Sequence, residues 1–149
     1  MTMICSTALI RRPPEVVFDY VTTPGNWPGW HPSSLDVTGG TDHPLTVGEE
    51  CTEHFRVAGR EGYVVWKVTQ REAPRLWVIT GRFATGAGGG TITYRLATLE
   101  GGTRFEREFV YVMPSRLLRL LDILVVRRRI QAESALAVRQ LQARLETGM

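Results

Sequence analysis

Period-two alternation places two ionisable residues among apolar neighbours. After Val47, the residues Cys51, Glu53, Phe55 and Val57 share one face, opposite Thr52, His54 and Arg56. Along 103–112, Phe105, Arg107, Phe109 and Tyr111 share a face, opposite Arg104, Glu106 and Glu108. A charge on an inward face is costly unless it finds a partner. Enclosed in a shaped cavity, a guanidinium is an orienting cation and a carboxyl a proton donor or acceptor. Arg107 and Glu53 are therefore catalytic candidates, with a tyrosine or His31 completing an acid–base pair. His31 ends an aromatic segment, where its imidazole either titrates near neutrality or caps backbone groups. The walls of such a cavity, and its expected ligand-binding residues, are Trp30, Glu53, Phe55, Trp66, Tyr94, Arg107, Phe109 and Tyr111. Two placements stay open for each charge. Either it faces the cavity, touching the other charge or a polar end of a ligand, or it lies near a strand end or bulge and reaches water.

Other chemistries lack their residues. There is no GxSxG, P-loop, CxxC or HExxH pattern. His31, His43 and His54 have no metal-ligand spacing, so neither metal nor cofactor is expected. The glycine cluster 86–90 precedes a strand pattern rather than a helix, and reads as a hairpin tip instead of a phosphate cradle. The chain has 18 basic against 15 acidic residues in 149, a net charge of +3. Those charges interleave along the strands, so nucleic acid is not an expected partner. No apolar run reaches the roughly 18 residues of a membrane span, and the N-terminal residues lack a secretory pattern. A cytoplasmic location and two reduced, buried thiols at Cys5 and Cys51 are expected.

The elements that must position these residues follow from pattern and punctuation. Residues 2–10 are rich in strand formers. Pro13, Pro14 and Glu15 start a helix whose buried face is Val17, Tyr20 and Val21. Trp27 and Trp30 follow in a proline- and glycine-rich segment expected to form a short helix or turns. Trp27 is expected under the bend of a sheet, with Trp30 and His31 nearer a mouth. Strands are expected at 34–39, 47–58, 62–72, 75–85, 90–99 and 103–112, joined as antiparallel hairpins. Ser115 is a plausible N-cap of a long terminal helix. Its apolar run 117–126, with a polar strip of Arg116, Arg119 and Asp122, is expected to pack on the sheet and leave Arg127, Arg128 and Arg129 in solvent. The other readings of that run are a gate, a dimer contact or a surface touching anionic headgroups.

One strand, two short helices, six strands and a long helix make an α+β domain. An antiparallel sheet of six to seven strands must curl around the terminal helix, and the gap between them suits an apolar ligand. The stretches RPPEVVFDYVTTPGNWPGWHPSS, VGEECTEHFRV, VVWKVTQREAPRLWVI and GGTRFEREFVY resemble the START-like helix-grip (SRPBCC) superfamily, most of all its polyketide cyclase/dehydrase and lipid-transport branch. The resemblance covers nearly the whole chain and implies a single helix-grip domain over 1–149. It implies a carrier of a hydrophobic small molecule (lipid, polyketide or aromatic metabolite) or a polyketide cyclase/dehydratase. A third reading is an accessory protein using the apolar 117–126 helix. Membrane contact is possible but not expected, and either a monomer or a homodimer fits. Aromatase/cyclases of the resembled branch place an arginine and tyrosines in the pocket. On 64–71, strict alternation puts Gln70 on the Trp66 face and leaves Arg71 one residue off, unless a bulge intervenes.

Overall fold

The structure, a computed structural model, describes every residue except 85, 87, 114, 148 and 149. The chain opens with β1 (Thr2–Ile10), α1 (Pro14–Val21) and a 3-10 helix (Pro24–Gly29). Six strands follow: β2 (Ser34–Gly39), β3 (Glu50–Val57), β4 (Arg60–Glu72), β5 (Leu76–Phe83), β6 (Gly89–Leu99) and β7 (Gly102–Val112). The C-terminal part comprises α2 (Arg116–Leu121), a π turn (Asp122–Val126) and α3 (Arg127–Thr147). This is the α+β helix-grip fold, with seven antiparallel strands ordered β1-β7-β6-β5-β4-β3-β2.

Each helix begins where the local chemistry allows. Pro14 occupies the first position of α1, where a missing N–H costs nothing. Ser115 caps α2 by accepting from the Leu118 N–H at 3.1 Å. In α3 the buried residues Ile130, Ser134, Ala137, Val138, Leu141 and Leu145 recur at helical spacing and form the stripe that the sheet grips. In α1 the buried face is Val17, Phe18 and Val21, while Tyr20 is only half-buried.

Two devices bend the sheet. A register shift between Val68 and Gln70 kinks β4 against β5. Glycines at facing positions also let walls approach closely: a Cβ on Gly81 would lie 2.5 Å from the Trp66 ring and 2.8 Å from Val64 Cγ2. The bulge also decides a question that alternation alone leaves open. Beyond it, Arg71 is half-buried and opposite Trp77, and its guanidinium lies 5.4 Å from the centre of the Phe18 ring. Gln70, expected on the Trp66 face, is exposed and donates to Glu72 instead. Arg71 thus faces inward but packs on α1, away from the cavity wall.

Three other expectations are corrected. Most of the run 117–126 does not pack on the sheet: α2 buries none of its residues, Asp122 is the one buried residue of the π turn, and Val126 is partly buried against Ile4 and Tyr111. Asp122 therefore leaves the polar strip and points inward. Cys5 is exposed, so only Cys51 is a buried thiol, and the two are not paired. Of the glycine cluster, residue 87 lies outside the described residues; Gly86 and Gly88 adopt positive φ, and Gly89 and Gly90 already belong to β6.

Candidate functional site

Between the sheet and α3 lies a cavity of about 340 Å³. From β3 come Glu53 and Phe55, from β4 Trp66, from β6 Tyr94, and from β7 Arg107, Phe109 and Tyr111. The segment around the 3-10 helix contributes Trp27, Trp30 and His31, and α3 contributes Ile130 and Ser134. Leu118 of α2 and Val126 of the π turn complete one wall. Alternation brings these side chains together because the inward residues of adjacent strands are in register: Tyr94 stands opposite Arg107, and Glu53 opposite Val64.

Arg107 is 6% exposed. Its Nη1 donates to Ser134 Oγ at 3.3 Å, its Nε has no partner, and its Cζ sits 5.5 Å from the Phe109 ring centre. A guanidinium has five N–H donors, so most of this buried group's capacity is unused by the described residues. Ser134 was not anticipated as a site residue. The signal was present, because a serine inside an otherwise apolar helical stripe has to meet a polar group.

Glu53 is enclosed as well, and the surface it keeps faces the cavity. The Trp66 Nε1–H donates to its Oε1 at 3.0 Å. The Ser34 hydroxyl lies close by, outside hydrogen-bond geometry. Burial raises the Glu53 pKa above the ordinary 4.5; the Trp66 contact and the Arg107 charge oppose that shift without cancelling it. Neither Glu53 nor Arg107 belongs to an ion pair among the described residues; the two share a cavity without closing on each other. The strand-end placement fails for both.

His31 has a defined role for each nitrogen. Nδ1 accepts from the Ser33 N–H at 3.1 Å, which leaves the proton of the neutral ring on Nε2. That Nε2 is buried and has no partner among the described residues. Burial, then the neighbouring Arg107 charge, holds the His31 pKa well below 6.5, so the ring is neutral at ordinary pH. With its lone pair committed to Ser33, His31 offers the cavity a hydrogen-bond donor and no base. The cap on backbone and the cavity contact are both real, one on each side of the ring.

Trp27 and Trp30 divide the remaining work. Trp27 donates from Nε1 to the Val21 carbonyl at 2.9 Å and meets Trp77 edge-on at 6.3 Å. Trp30 is fully enclosed between Tyr94 and Phe105, each ring centre 6.4 Å away, and both tryptophans line the cavity. The Trp30 Nε1–H has no partner among the described residues. Burial raises the Tyr94 phenol above its usual pKa, so it stays a neutral hydroxyl beside Arg107. Three donors without partners among the described residues, on Trp30, His31 and Arg107, thus line one cavity whose walls are mostly aromatic and aliphatic, with Glu53 and Ser134 among the polar exceptions.

Comparison with known proteins agrees with this architecture. The family model described as polyketide cyclase / dehydrase and lipid transport matches residues 1–146. The chain belongs to that family. Among curated proteins, a 53-residue stretch is 43% identical to penitrem biosynthesis cluster 1 protein I of Penicillium ochrochloron; the match spans 34% of this chain and 35% of that protein, about a third of its length. Among solved structures, protein CV1439 of Chromobacterium violaceum superposes with a TM-score of 0.75 at 18% identity, covering 98% of this chain and 99% of that one. Protein Ms6760 of Mycobacterium smegmatis gives 0.68 at 23% identity over 99% and 92%. DynU16, from the dynemicin biosynthetic locus, gives 0.68 at 17% identity, covering 98% of this chain and 48% of that longer one. At these identities the likeness is one of fold. No helix among the described residues is long and apolar enough to cross a membrane.

Proposed function

We propose that this member of the family binds a hydrophobic small molecule in the cavity between the sheet and α3, with a carbonyl or carboxylate oxygen of the ligand directed at Arg107. The observation that carries the reading is the set of unpaired donors on Trp30, His31 and Arg107 within one apolar enclosure. Buried donors without acceptors are costly, and an acceptor oxygen on the ligand would relieve several of them at once. The volume of about 340 Å³ falls in the usual range of small-molecule sites. Polyketides, aromatic metabolites and fatty acyl compounds all combine an apolar body with such oxygens. Trp30, Phe55, Trp66, Tyr94, Phe109 and Tyr111 would supply the walls, and Glu53 a protonatable contact.

The test is native mass spectrometry of protein purified from its own host, with and without Arg107→Ala. A retained apolar, oxygen-bearing ligand that is lost in the variant is the expected result. A ligand retained equally by both would overturn the role of Arg107.

A second reading, a cyclase/dehydratase, is favoured by the raised pKa of Glu53 beside those donors. Arg107, His31 Nε2–H and Trp30 Nε1–H would hold the oxygen of an enolate while the Glu53 carboxylate removed the proton α to the carbonyl. The same proton would then pass to a β-hydroxyl, which departs as water as the carbon–carbon double bond forms. Arg107→Ala separates the readings: turnover lost with binding retained favours the enzyme, and equal loss of both favours the carrier.

A further inference from the structure

The segment preceding α3 has two apolar sides. Leu118 and Val126 turn towards the cavity. Leu117, Leu120, Leu121, Ile123, Leu124 and Val125 face solvent and are between 36% and 67% exposed. Six large aliphatic side chains within nine residues make a patch of a kind that soluble monomers seldom leave uncovered. Its border is basic: Arg116 and Arg119 interleave with it, and Arg127, Arg128 and Arg129 follow directly, all exposed. The single acid of the segment is Asp122. It is 4% exposed and turned inward, accepting from Thr2 Oγ1 at 2.7 Å and from the Tyr111 phenol at 2.6 Å. The outward face therefore carries only apolar and positive groups.

We infer that Arg116–Arg129 is an interfacial docking surface for an anionic lipid bilayer. The charge pattern chooses this occupant. A second copy related by a two-fold axis would bring arginine rim against arginine rim, whereas anionic headgroups neutralise both ends of the patch. The leucines would enter the headgroup–acyl boundary while the arginines extend back to the phosphates. Because Leu118 and Val126 belong to the same turns, the docked element is also a cavity wall, so an apolar ligand would have a short, dry route between bilayer and cavity.

The test is flotation of the purified protein with vesicles of phosphatidylcholine alone and of phosphatidylcholine with a minority of phosphatidylglycerol. Binding to the anionic vesicles only is expected, weakened by salt and by Arg128→Glu with Arg129→Glu. Leu120→Ser with Leu124→Ser is expected to weaken it by about tenfold or more while leaving the melting temperature unchanged, since both side chains are exposed. Tryptophan introduced by Leu124→Trp is expected to shift its emission to the blue on vesicle addition. Three results would overturn the inference: no flotation with anionic vesicles at low salt, flotation insensitive to the leucine substitutions, or a wild-type dimer in solution that the same substitutions dissociate.

Discussion

At the scale of single residues, the cavity is defined by groups that lack partners. Arg107 is buried with one long hydrogen bond and no carboxylate. Replacing it with an apolar side chain of similar length removes that burden, so Arg107→Met is expected to leave stability unchanged or raise it by about 1–2 kcal/mol in urea unfolding, while ligand retention falls. A coupled loss of stability would show that the guanidinium is structural. Glu53 and His31 give opposite pH dependences. The raised pKa of Glu53 means that the folded protein holds this proton more tightly than the unfolded chain, so the stability from its neutral form is complete below about 4.5 and is lost as pH rises through the folded value. Glu53→Gln is expected to flatten that decline, gaining on wild type as neutral pH is approached. His31 is neutral in the fold well below 6.5, so protonation favours the unfolded chain, and stability is lost as pH falls from about 6.5. His31→Gln is expected to reduce that acid loss; unfolding midpoints across pH, compared with wild type, check both. Glu53 and Arg107 were legible in the sequence because alternation marks a charge on an apolar face. Their failure to pair was not legible, since it depends on how far the curved sheet separates β3 from β7.

Among the elements, the π turn is held by a buried polar cluster. Thr2 of β1 and Tyr111 of β7 both donate to Asp122, and Arg127 lies 3.7 Å from the same carboxylate while donating to Thr2 Oγ1 at 3.2 Å. Burial, and then the Asp122 contact, keeps the Tyr111 phenol neutral by raising its pKa. Asp122→Ala would strand two hydroxyls and is expected to cost about 2–4 kcal/mol, with faster amide exchange across Asp122–Val126. Unchanged exchange there would mean that other contacts hold the turn. In the sheet, Gly81→Ala forces a Cβ against Trp66 and Val64, and is expected to cost about 1–3 kcal/mol in thermal or urea unfolding and to diminish the cavity. Periodicity located every strand to within a few residues, because glycine and proline punctuate each hairpin. It misplaced Gln70 and Arg71, because alternation presumes an unbroken ladder and the bulge at Val68/Gln70 adds one residue to β4. It also misplaced Asp122, whose partners lie 120 and 11 residues away in sequence.

For the whole molecule, the fold was readable from element order and quoted stretches, and the family match over residues 1–146 agrees with it. The environment of 117–126 was not readable, since composition states how apolar a run is and not which neighbour covers it. The π turn connects this run to the gripped helix, and it has a consequence for helical phase. An α-helix turns through about 100° per residue, and a π turn accommodates one residue more than an α turn would. Roughly five residues of a π turn advance the chain through the same angle as about four of an α-helix, so removing one residue from Asp122–Val126 would restore an α turn and leave Leu118 in nearly its present phase relative to α3. The change would be felt inside the turn, where Asp122 must stay inward to accept from Thr2 and Tyr111. The turn therefore absorbs a single insertion where it stands, whereas the same insertion placed between Leu118 and Asp122 as regular helix would rotate α2 by about 100° and take Leu118 off the cavity wall.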